Sequence, residues 1–390
     1  MLPEGWKYRT VNDLAVFANG KPHEKELCND GRYILVNSKY ISSNGEIYKK
    51  TNSSSCIAKK NDILMVMSDV PNGRAIAKCI LVADNQKYAV NQRIAKLTPR
   101  NTNPIFLYYS INRNPYYLSF DDGLKQTNLR KDEVLDCPVL TPPLPEQKKI
   151  AAILSTWDRA IEGTEKLLSN SQQQKKALMQ QLLTGKKRLP GFMGEWKKVS
   201  LEKTGKIVSG GTPDTTVPAY WDGDVLWLTP TDVTSLREKY VDDTKRKITQ
   251  AGIKDSATTL LPAGSLLVCT RATIGYMAIA KKPITTNQGF KNIVFNKLFL
   301  PEFVYYFLCT QKHEMQRLAS GSTFSEISKK DFCKIHISAP PLPEQKAIAA
   351  ILTTADEEIT AIESDLSRLR QEKKALMQQL LTGKRRVTVD

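Results

Sequence analysis

The sequence lacks the usual signatures of several protein classes. It has seven cysteines, an odd number, and no Cys-x-x-Cys pair. Scattered cysteines of this kind are typical of reduced thiols and argue against a disulfide framework or a cysteine zinc site. No apolar run approaches the ~20 residues that cross a bilayer, and the N-terminal segment lacks the apolar core of a signal peptide. We therefore expect a soluble, cytoplasmic chain.

Catalytic motifs are also scarce. The chain has no Gly-x-Gly-x-x-Gly loop and no Gly-x-x-x-x-Gly-Lys-Ser/Thr loop for ATP, and its three histidines lie outside any His-Glu-x-x-His motif. One loose nuclease pattern is present, in which Pro213-Asp214 is followed by Asp243-x-Lys245. That pattern is frequent by chance. We expect no catalytic residue, no cofactor site and no metal site here, so that enzymatic activity would belong to partners.

Charge of one sign is in excess, and it is evenly divided. The formal net charge is +17. Residues 1–141 and residues 189–339 each carry 20 basic and 14 acidic side chains, so each contributes +6. Two equally basic segments suggest one polyanion held at two places. The alternative is that the positive charge only keeps the protein soluble.

One stretch of the sequence occurs twice. Residues 142–188 and 340–386 are identical at 32 of 47 positions, without a gap. Each copy begins with PPLPEQ and ends near KKALMQQLLTGK. The copies separate two segments of similar length, so the predicted boundaries are residues 1–141, 142–188, 189–339 and 340–390. We call residues 1–141 the first module and residues 189–339 the second module.

Each repeat predicts a long helix. The prolines and Glu146 or Glu344 favour a helix start, and Gly185 or Gly383 favours a helix end. Between them the apolar residues follow a 4-3-4-3 spacing, which is typical of a coiled-coil seam. In the first copy the seam positions are Ile150, Leu154, Trp157, Ile161, Thr164, Leu168, Ser171, Lys175, Leu178 and Leu182. In the second they are Ile348, Leu352, Ala355, Ile359, Ile362, Leu366, Leu369, Lys373, Leu376 and Leu380.

Neither helix can bury such a stripe alone. The nearest partner is the other copy, so we expect the two helices to pair in antiparallel. The alternative is a dimer in which each helix pairs with its own equivalent. The two modules contain short β-rich segments with Gly, Asn and Asp turns, mixed with helices, which predicts an α+β fold class.

Polar residues in the module turns are candidates for DNA contact. Arg and Lys can bond guanine, Asn and Gln can bond adenine, and Ser, Thr and glycine N–H groups can hold phosphates. For any single residue the alternative is a turn former or a solvated loop residue. The candidates in the first module are Arg74, Asn91, Gln92, Lys125 and Asn128. Those in the second are Ser209, Gly210, Gly211, Thr212, Thr229, Arg271, Asn287, Gln288, Lys291 and Ser322.

A duplicated PPLPEQ…KKALMQQLLTGK helix that separates two diverged basic modules resembles the specificity subunits of type I restriction-modification systems. The second module adds the landmarks GGTP, SGST and TPTDV, and the first has no clear GGTP counterpart. The resemblance implies two target recognition domains separated by two conserved spacer helices. Each domain would read one half of a gapped, asymmetric site in double-stranded DNA. The helices would set the gap and dock the methyltransferase subunits.

The resemblance also implies partners that carry the chemistry. Two modification subunits would bind AdoMet and methylate adenine, and restriction subunits would use ATP, with Mg, to translocate and cut DNA. This chain would be the non-catalytic specificity subunit. Two other interpretations stay open: a stand-alone site-specific DNA endonuclease that uses the acid-x-Lys pattern, and a non-enzymatic coiled-coil DNA-binding protein.

Overall fold

The structure is a computed structural model that describes residues 2–23, 26–53, 55–85, 87–319 and 325–388. It contains two compact units, one formed by Met1–Glu165 with Asp365–Asp390 and the other by Lys166–Ser364. Each unit contains a module and part of each long helix. The boundaries predicted from the repeats stay a prediction.

The first module is an α+β structure. Its strands are β1 (Lys7–Thr10), β2 (Ala15–Asn19), β3 (Tyr33–Val36), β4 (Lys49–Thr51), β5 (Ile57–Ala58), β6 (Ile63–Val66), β7 (Ser68–Asp69), β8 (Cys79–Leu81), β9 (Tyr88–Val90), β10 (Ile94–Pro99), β11 (Thr127–Asn128) and β12 (Pro138–Thr141). Its helices are α1 (Val11–Leu14), α2 (Ser38–Ser42), α3 (Pro104–Ile111), α4 (Pro115–Leu118) and α5 (Lys131–Leu135). The long helix α6 (Leu144–Leu182) follows.

Two four-stranded sheets form the body of the first module. One has the order β2-β10-β6-β8, and the other has the order β4-β3-β9-β5 with β3 and β9 parallel. The apolar run of β6 is buried throughout, as expected for a central strand covered on both faces. Two short antiparallel ladders, β1-β12 and β7-β11, complete the module.

The second module has a similar arrangement, built on a five-stranded and a three-stranded sheet. Its strands are β13 (Lys197–Ser200), β14 (Gly205–Ser209), β15 (Trp221–Leu228), β16 (Tyr240–Val241), β17 (Arg246–Ile248), β18 (Leu266–Cys269), β19 (Met277–Ala280), β20 (Thr285–Thr286), β21 (Phe290–Phe295) and β22 (His336–Ala339). Its helices are α7 (Pro230–Ser235), α8 (Gln250–Lys254), α9 (Pro301–Thr310), α10 (Lys312–Leu318) and α11 (Lys329–Lys334), and α12 (Leu342–Leu381) is the second long helix. The sheets have the orders β14-β21-β18-β19-β16 and β17-β15-β20, with the ladder β13-β22.

The two long helices confirm the predicted fold class and the predicted seam. Every seam position of α6 and α12 is buried or half-buried, whereas most positions between them are exposed. In the first unit Asp158 of α6 contacts Lys373 of α12, and Glu165 contacts Arg370. Residue numbers rise along one helix as they fall along the other, so the pairing is antiparallel.

The second unit repeats this pairing and explains the lysines of the seam. Lys175 of α6 contacts Asp356 of α12, and Ser171 donates a 3.1 Å hydrogen bond to Glu358. Lys175 and Lys373 occupy equivalent positions in the two repeats, as do Asp356 and Asp158. Each seam lysine is therefore neutralised by an aspartate of the facing helix.

The Glu-Gln pair of each PPLPEQ motif anchors its helix to the rest of the unit. Gln147 accepts hydrogen bonds from Thr102 Oγ1 and Asn103 N, each 2.8 Å long, at the start of α3. Gln345 accepts a 2.9 Å bond from Leu300 N at the start of α9. Both glutamines are buried, so the motif fixes where each module attaches to its helix. Within the described ranges, no helix is both long and apolar enough to cross a membrane.

Candidate nucleic-acid interface

In the second module the Asn-Gln turn packs against the glycine loop of GGTP. Gly210 N donates to Phe290 O at 3.2 Å, and Gly211 N donates to Thr286 O at 2.9 Å. A Cβ atom on Gly210 would lie 1.9 Å from Asn287 O, which no side chain can tolerate. Glycine is therefore required here by the close approach of two backbones.

The first module contains the same backbone arrangement. Gly20 N donates to Ile94 O at 3.1 Å, and Lys21 N donates to Val90 O at 2.9 Å. A Cβ atom on Gly20 would lie 1.9 Å from Asn91 O. The segment Gly20-Lys21-Pro22 is thus the counterpart of GGTP, which corrects the expectation that the first module has none. Only the backbone is shared, and the side chains that follow Gly20 differ.

A short ladder in the first module lies beside the Asn-Gln turn. Met67 N donates to Arg93 O at 3.0 Å, and Leu129 N donates to Met67 O at 2.8 Å. The turn after Asn91 and the ends of β7 and β11 therefore meet at Met67. Gln92, one of the predicted residues, is exposed on that turn, whereas Asn91 is buried.

The other predicted residues of the first module lie on two loops that adjoin this ladder. Arg74 and Lys125 are exposed, and the loops that carry them are joined by a 3.0 Å hydrogen bond from Asn72 Nδ2 to Gly123 O. Asn128 is exposed in β11, where its Oδ1 accepts a 2.7 Å bond from Ser68. The structure therefore places the first-module candidates around one edge of the module.

The second module has the equivalent meeting point at Thr270. Its N–H donates to Gly289 O, and Ile327 N donates to Thr270 O, each at 2.9 Å. The neighbouring residues Arg271 and Glu326 form a backbone bridge in place of the β7-β11 ladder. The glycine loop, the Asn-Gln turn and this bridge thus recur together in both modules.

Several predicted residues of the second module bond to one another or to nearby groups. The Thr212 hydroxyl donates to Gln288 Oε1, and Asn287 Oδ1 accepts a 2.9 Å bond from Gly289 N. Lys291 is buried and pairs with Glu326 at 3.0 Å. These contacts support the loops from within the module.

The remaining candidates are placed as follows. Thr229 caps α7, and its hydroxyl donates a 2.6 Å hydrogen bond to Asp232. Ser209 is half-buried at the end of β14 and pairs with Lys291 across the sheet. Ser322 lies outside the described residues. Contact with DNA stays a prediction for every candidate in both modules.

The acidic residues of the nuclease pattern have local roles. The Asp214 carboxylate accepts bonds from the backbone and hydroxyl of Thr216, and these hydrogen bonds lower its pKa. Asp243 pairs with Lys247 at 3.1 Å, and that hydrogen bond lowers the pKa of Asp243. Across the described ranges, no three His, Cys, Asp or Glu side chains converge as metal ligands would.

The chain matches a known family over most of its length. The family model of the type I restriction modification DNA specificity domain matches residues 3–170 and again residues 193–369. The MjaVIII type I restriction enzyme specificity subunit of Methanocaldococcus jannaschii is 24% identical over 99% of this chain and 94% of that protein. The EcoR124I/EcoR124II specificity subunit of Escherichia coli is 27% identical over 71% of this chain and 70% of that protein.

A further relative is more similar over a shorter stretch. The MjaIX specificity subunit of Methanocaldococcus jannaschii is 35% identical over 42% of this chain, and the match spans 38% of that protein's length. Among solved structures, the S subunit of a type I restriction-modification system from M. genitalium has a TM-score of 0.64 at 15% identity, with 98% of both chains covered. At that identity the likeness shows a shared fold.

Proposed function

The chain belongs to the family of type I restriction modification DNA specificity proteins, and we propose that each of its modules reads one half of a two-part DNA site. The chain is the DNA-recognition subunit of such a complex and not its enzyme. This assignment favours DNA recognition over the stand-alone nuclease interpretation.

One observation carries the proposal for two half-sites. The same backbone arrangement of glycine loop and Asn-Gln turn recurs in both modules, while the side chains that follow the glycine differ. Lys21 follows the glycine in the first module, and Gly211 and Thr212 follow it in the second. A shared backbone supports a shared mode of docking, and different side chains support different base sequences.

The partners and cofactors of the complex form part of the proposal. Two modification subunits would dock on the helix pair and supply AdoMet-dependent methylation of adenine, and restriction subunits would supply ATP-driven translocation and Mg-dependent cutting. The complex would work in the cytoplasm, where its DNA is located. The thiols of all seven cysteines are free, which agrees with a reducing compartment.

Exchange of one module tests the proposal. The second module is replaced by that of a relative with a different target, and the complex with its modification subunits is used to methylate a pool of random duplexes. Sequencing of the methylated duplexes should show a new second half-site and an unchanged first half-site. A change in both half-sites, or in neither, would contradict independent reading by two modules.

We propose in addition that the length of the helix pair sets the unread gap. An insertion of one heptad in α6 and the matching heptad in α12 keeps the 4-3-4-3 seam in register. The expected result is a longer gap between two unchanged half-sites. A matched control inserts one heptad in α6 only, which breaks the register and should abolish DNA recognition.

A further inference from the structure

The second module holds an arginine on a pair of tryptophans beside its glycine loop. The guanidinium carbon of Arg246 lies 3.8 Å from the ring centroid of Trp221 and 5.3 Å from that of Trp227. The two rings are 5.0 Å apart and nearly perpendicular, at 85°. Their indole N–H groups donate 3.0 Å hydrogen bonds to Asp214 O and Gly211 O, respectively. The arginine is therefore supported by rings that are fixed to the glycine loop.

An irregularity in one strand creates this arrangement. Trp221 and Val225, both in β15, pair opposite the same residue of β17, Ile248, so the intervening residues bulge out of the ladder. Asp222 in the bulge takes a left-handed backbone with φ of 58°. A bulge of this kind re-aims side chains, and here it brings both tryptophans to the same arginine.

The charged edge of Arg246 is available to a ligand. Arg246 is exposed, whereas both tryptophans are buried. Its neighbour Lys247 pairs with Asp243, but Arg246 forms no ion pair with any residue that the structure describes. An aromatic surface holds the planar guanidinium by its face and leaves its N–H edge free for paired acceptors.

The first module differs at the same position. Lys49 lies opposite Leu35 in the β3-β4 pair, as Arg246 lies opposite Trp227 in the β15-β17 pair. Lys49 is exposed, and a leucine takes the place of the tryptophan beneath it. At this equivalent position the first module therefore presents the point charge of a lysine, and the second presents the planar guanidinium of an arginine that is held on aromatic rings.

We propose that Arg246 contacts the target DNA of the second half-site through two neighbouring acceptor atoms. The acceptors are O6 and N7 of a guanine or two oxygens of one phosphate, which share the geometry that an arginine fork fits. This inference rests on the proposed function. Arg246 would either fix the position of the second module on the DNA or read a base of the second half-site. The tryptophans act as positioning residues, because they hold the arginine before DNA arrives.

Two variants distinguish the contribution of the planar guanidinium donors from that of the positive charge and from that of the packing on Trp221. Arg246→Met keeps a long side chain over Trp221 and removes every N–H donor. Arg246→Lys keeps the positive charge and removes the planar fork. Lys49→Met is the matched control in the first module. Thermal unfolding and tryptophan fluorescence of each variant establish that the second module is folded.

The probe is a pool of random duplexes bound by the full chain together with its modification subunits. Binding of Arg246→Met to the wild-type motif should weaken by about 5-fold to 150-fold, the loss expected for one bidentate contact. Loss of base preference at one position of the second half-site identifies a guanine contact. A uniform loss with a shallower salt dependence identifies a phosphate contact. Arg246→Lys should bind the wild-type motif more weakly than the wild type, because lysine lacks the planar fork, and Lys49→Met should leave the second half-site unchanged.

Different results would contradict the role of Arg246 and the proposed function of the chain. If the wild-type chain selects a two-part motif and Arg246→Met selects it with the same affinity, Arg246 does not contact DNA. If the wild-type chain selects no two-part motif, the proposed function itself is wrong.

Discussion

Arg188 forms two hydrogen bonds to Glu344, from Nε to Oε1 and from Nη2 to Oε2, each 2.7 Å long. Arg188 follows the first long helix, and Glu344 lies in the first turn of the second. The same contact recurs in the first unit, where Arg386 donates to Glu146 at 2.9 Å. The end of each repeat therefore holds the beginning of the other, and the PPLPEQ motif is explained by its partner.

Removal of Arg188 should destabilise the second unit. The Glu344 side chain is 1% exposed, so Arg188→Met would leave a buried carboxylate without its cation. The free energy of unfolding, measured by urea unfolding, should therefore fall. The double variant with Glu344→Leu should recover most of that loss, because it removes the buried charge as well. A single variant as stable as the wild type would show that the pair contributes nothing.

Asp356→Asn should cost more than the equivalent Asp158→Asn. Asp356 accepts a 2.5 Å bond from Tyr306 and pairs with Lys175 and with Lys239, whose side chain is 8% exposed. Asp158 balances the single lysine Lys373, with Tyr109 as its second donor. We expect Asp356→Asn to lower the free energy of unfolding by about 2 kcal/mol, since it leaves the buried ammonium group of Lys239 without a carboxylate partner.

The control for this prediction removes the stranded cation. In the Asp356→Asn background, Lys239→Met should restore part of the lost stability. Equal losses for the two aspartate variants would contradict the role assigned to Lys239.

Glycine loops give a test of the shared backbone arrangement. Gly210→Ala should displace the turn at Asn287 and lower stability by roughly 1–3 kcal/mol, as expected for an added methyl group without space. It should also weaken reading of the second half-site only, and Gly20→Ala should do the same for the first.

A third glycine is the matched control. Gly163 lies in α6, where an added Cβ would meet, within 4 Å, nothing in the described part of the chain beyond the neighbouring backbone of its own helix, so Gly163→Ala should stabilise the helix by about 1 kcal/mol. Both changes are measured by thermal unfolding and by the motif selected from random duplexes. Loop and helix variants with the same effect would refute the packing argument.

Stability should fall at alkaline pH because of a buried thiol. Burial raises the pKa of Cys269 from 9.0 to about 12. The folded chain holds the thiol proton more tightly than the unfolded chain, so this contribution is complete below pH 9 and is lost as the pH rises towards 12. Between pH 8 and pH 10 the wild type should lose about 1 kcal/mol more than Cys269→Ala. Parallel pH profiles for the two would show that this thiol is not the cause.

The long helices could be predicted because their signal is local and periodic. The 4-3-4-3 spacing from Ile348 to Leu380 specifies a seam wherever the helix lies, and the lack of another partner favoured antiparallel pairing. The glycine loop of the first module could not be found this way. Gly20 and Gly210 share only backbone hydrogen bonds to distant strands, which the side chains around them do not encode.

The sequence predicted the kind of site, a cluster of polar turn residues, better than the role of each individual residue. Gln288 and Thr212 come together as turn residues of one loop cluster, and the Asn-Gln and GGTP patterns point to them in the sequence. The internal roles of Thr229 and Lys291 depend on Asp232 and Glu326, which only the folded backbone brings close. The sequence does not point to Arg246, because its packing on the two tryptophans depends on a strand bulge.

The most direct test of the central claim is a genome-wide map of adenine methylation in cells that carry this chain with its modification subunits. We expect a two-part motif with a fixed gap that disappears when the gene for this chain is removed. A motif without a gap, or one that persists unchanged without this chain, would contradict it.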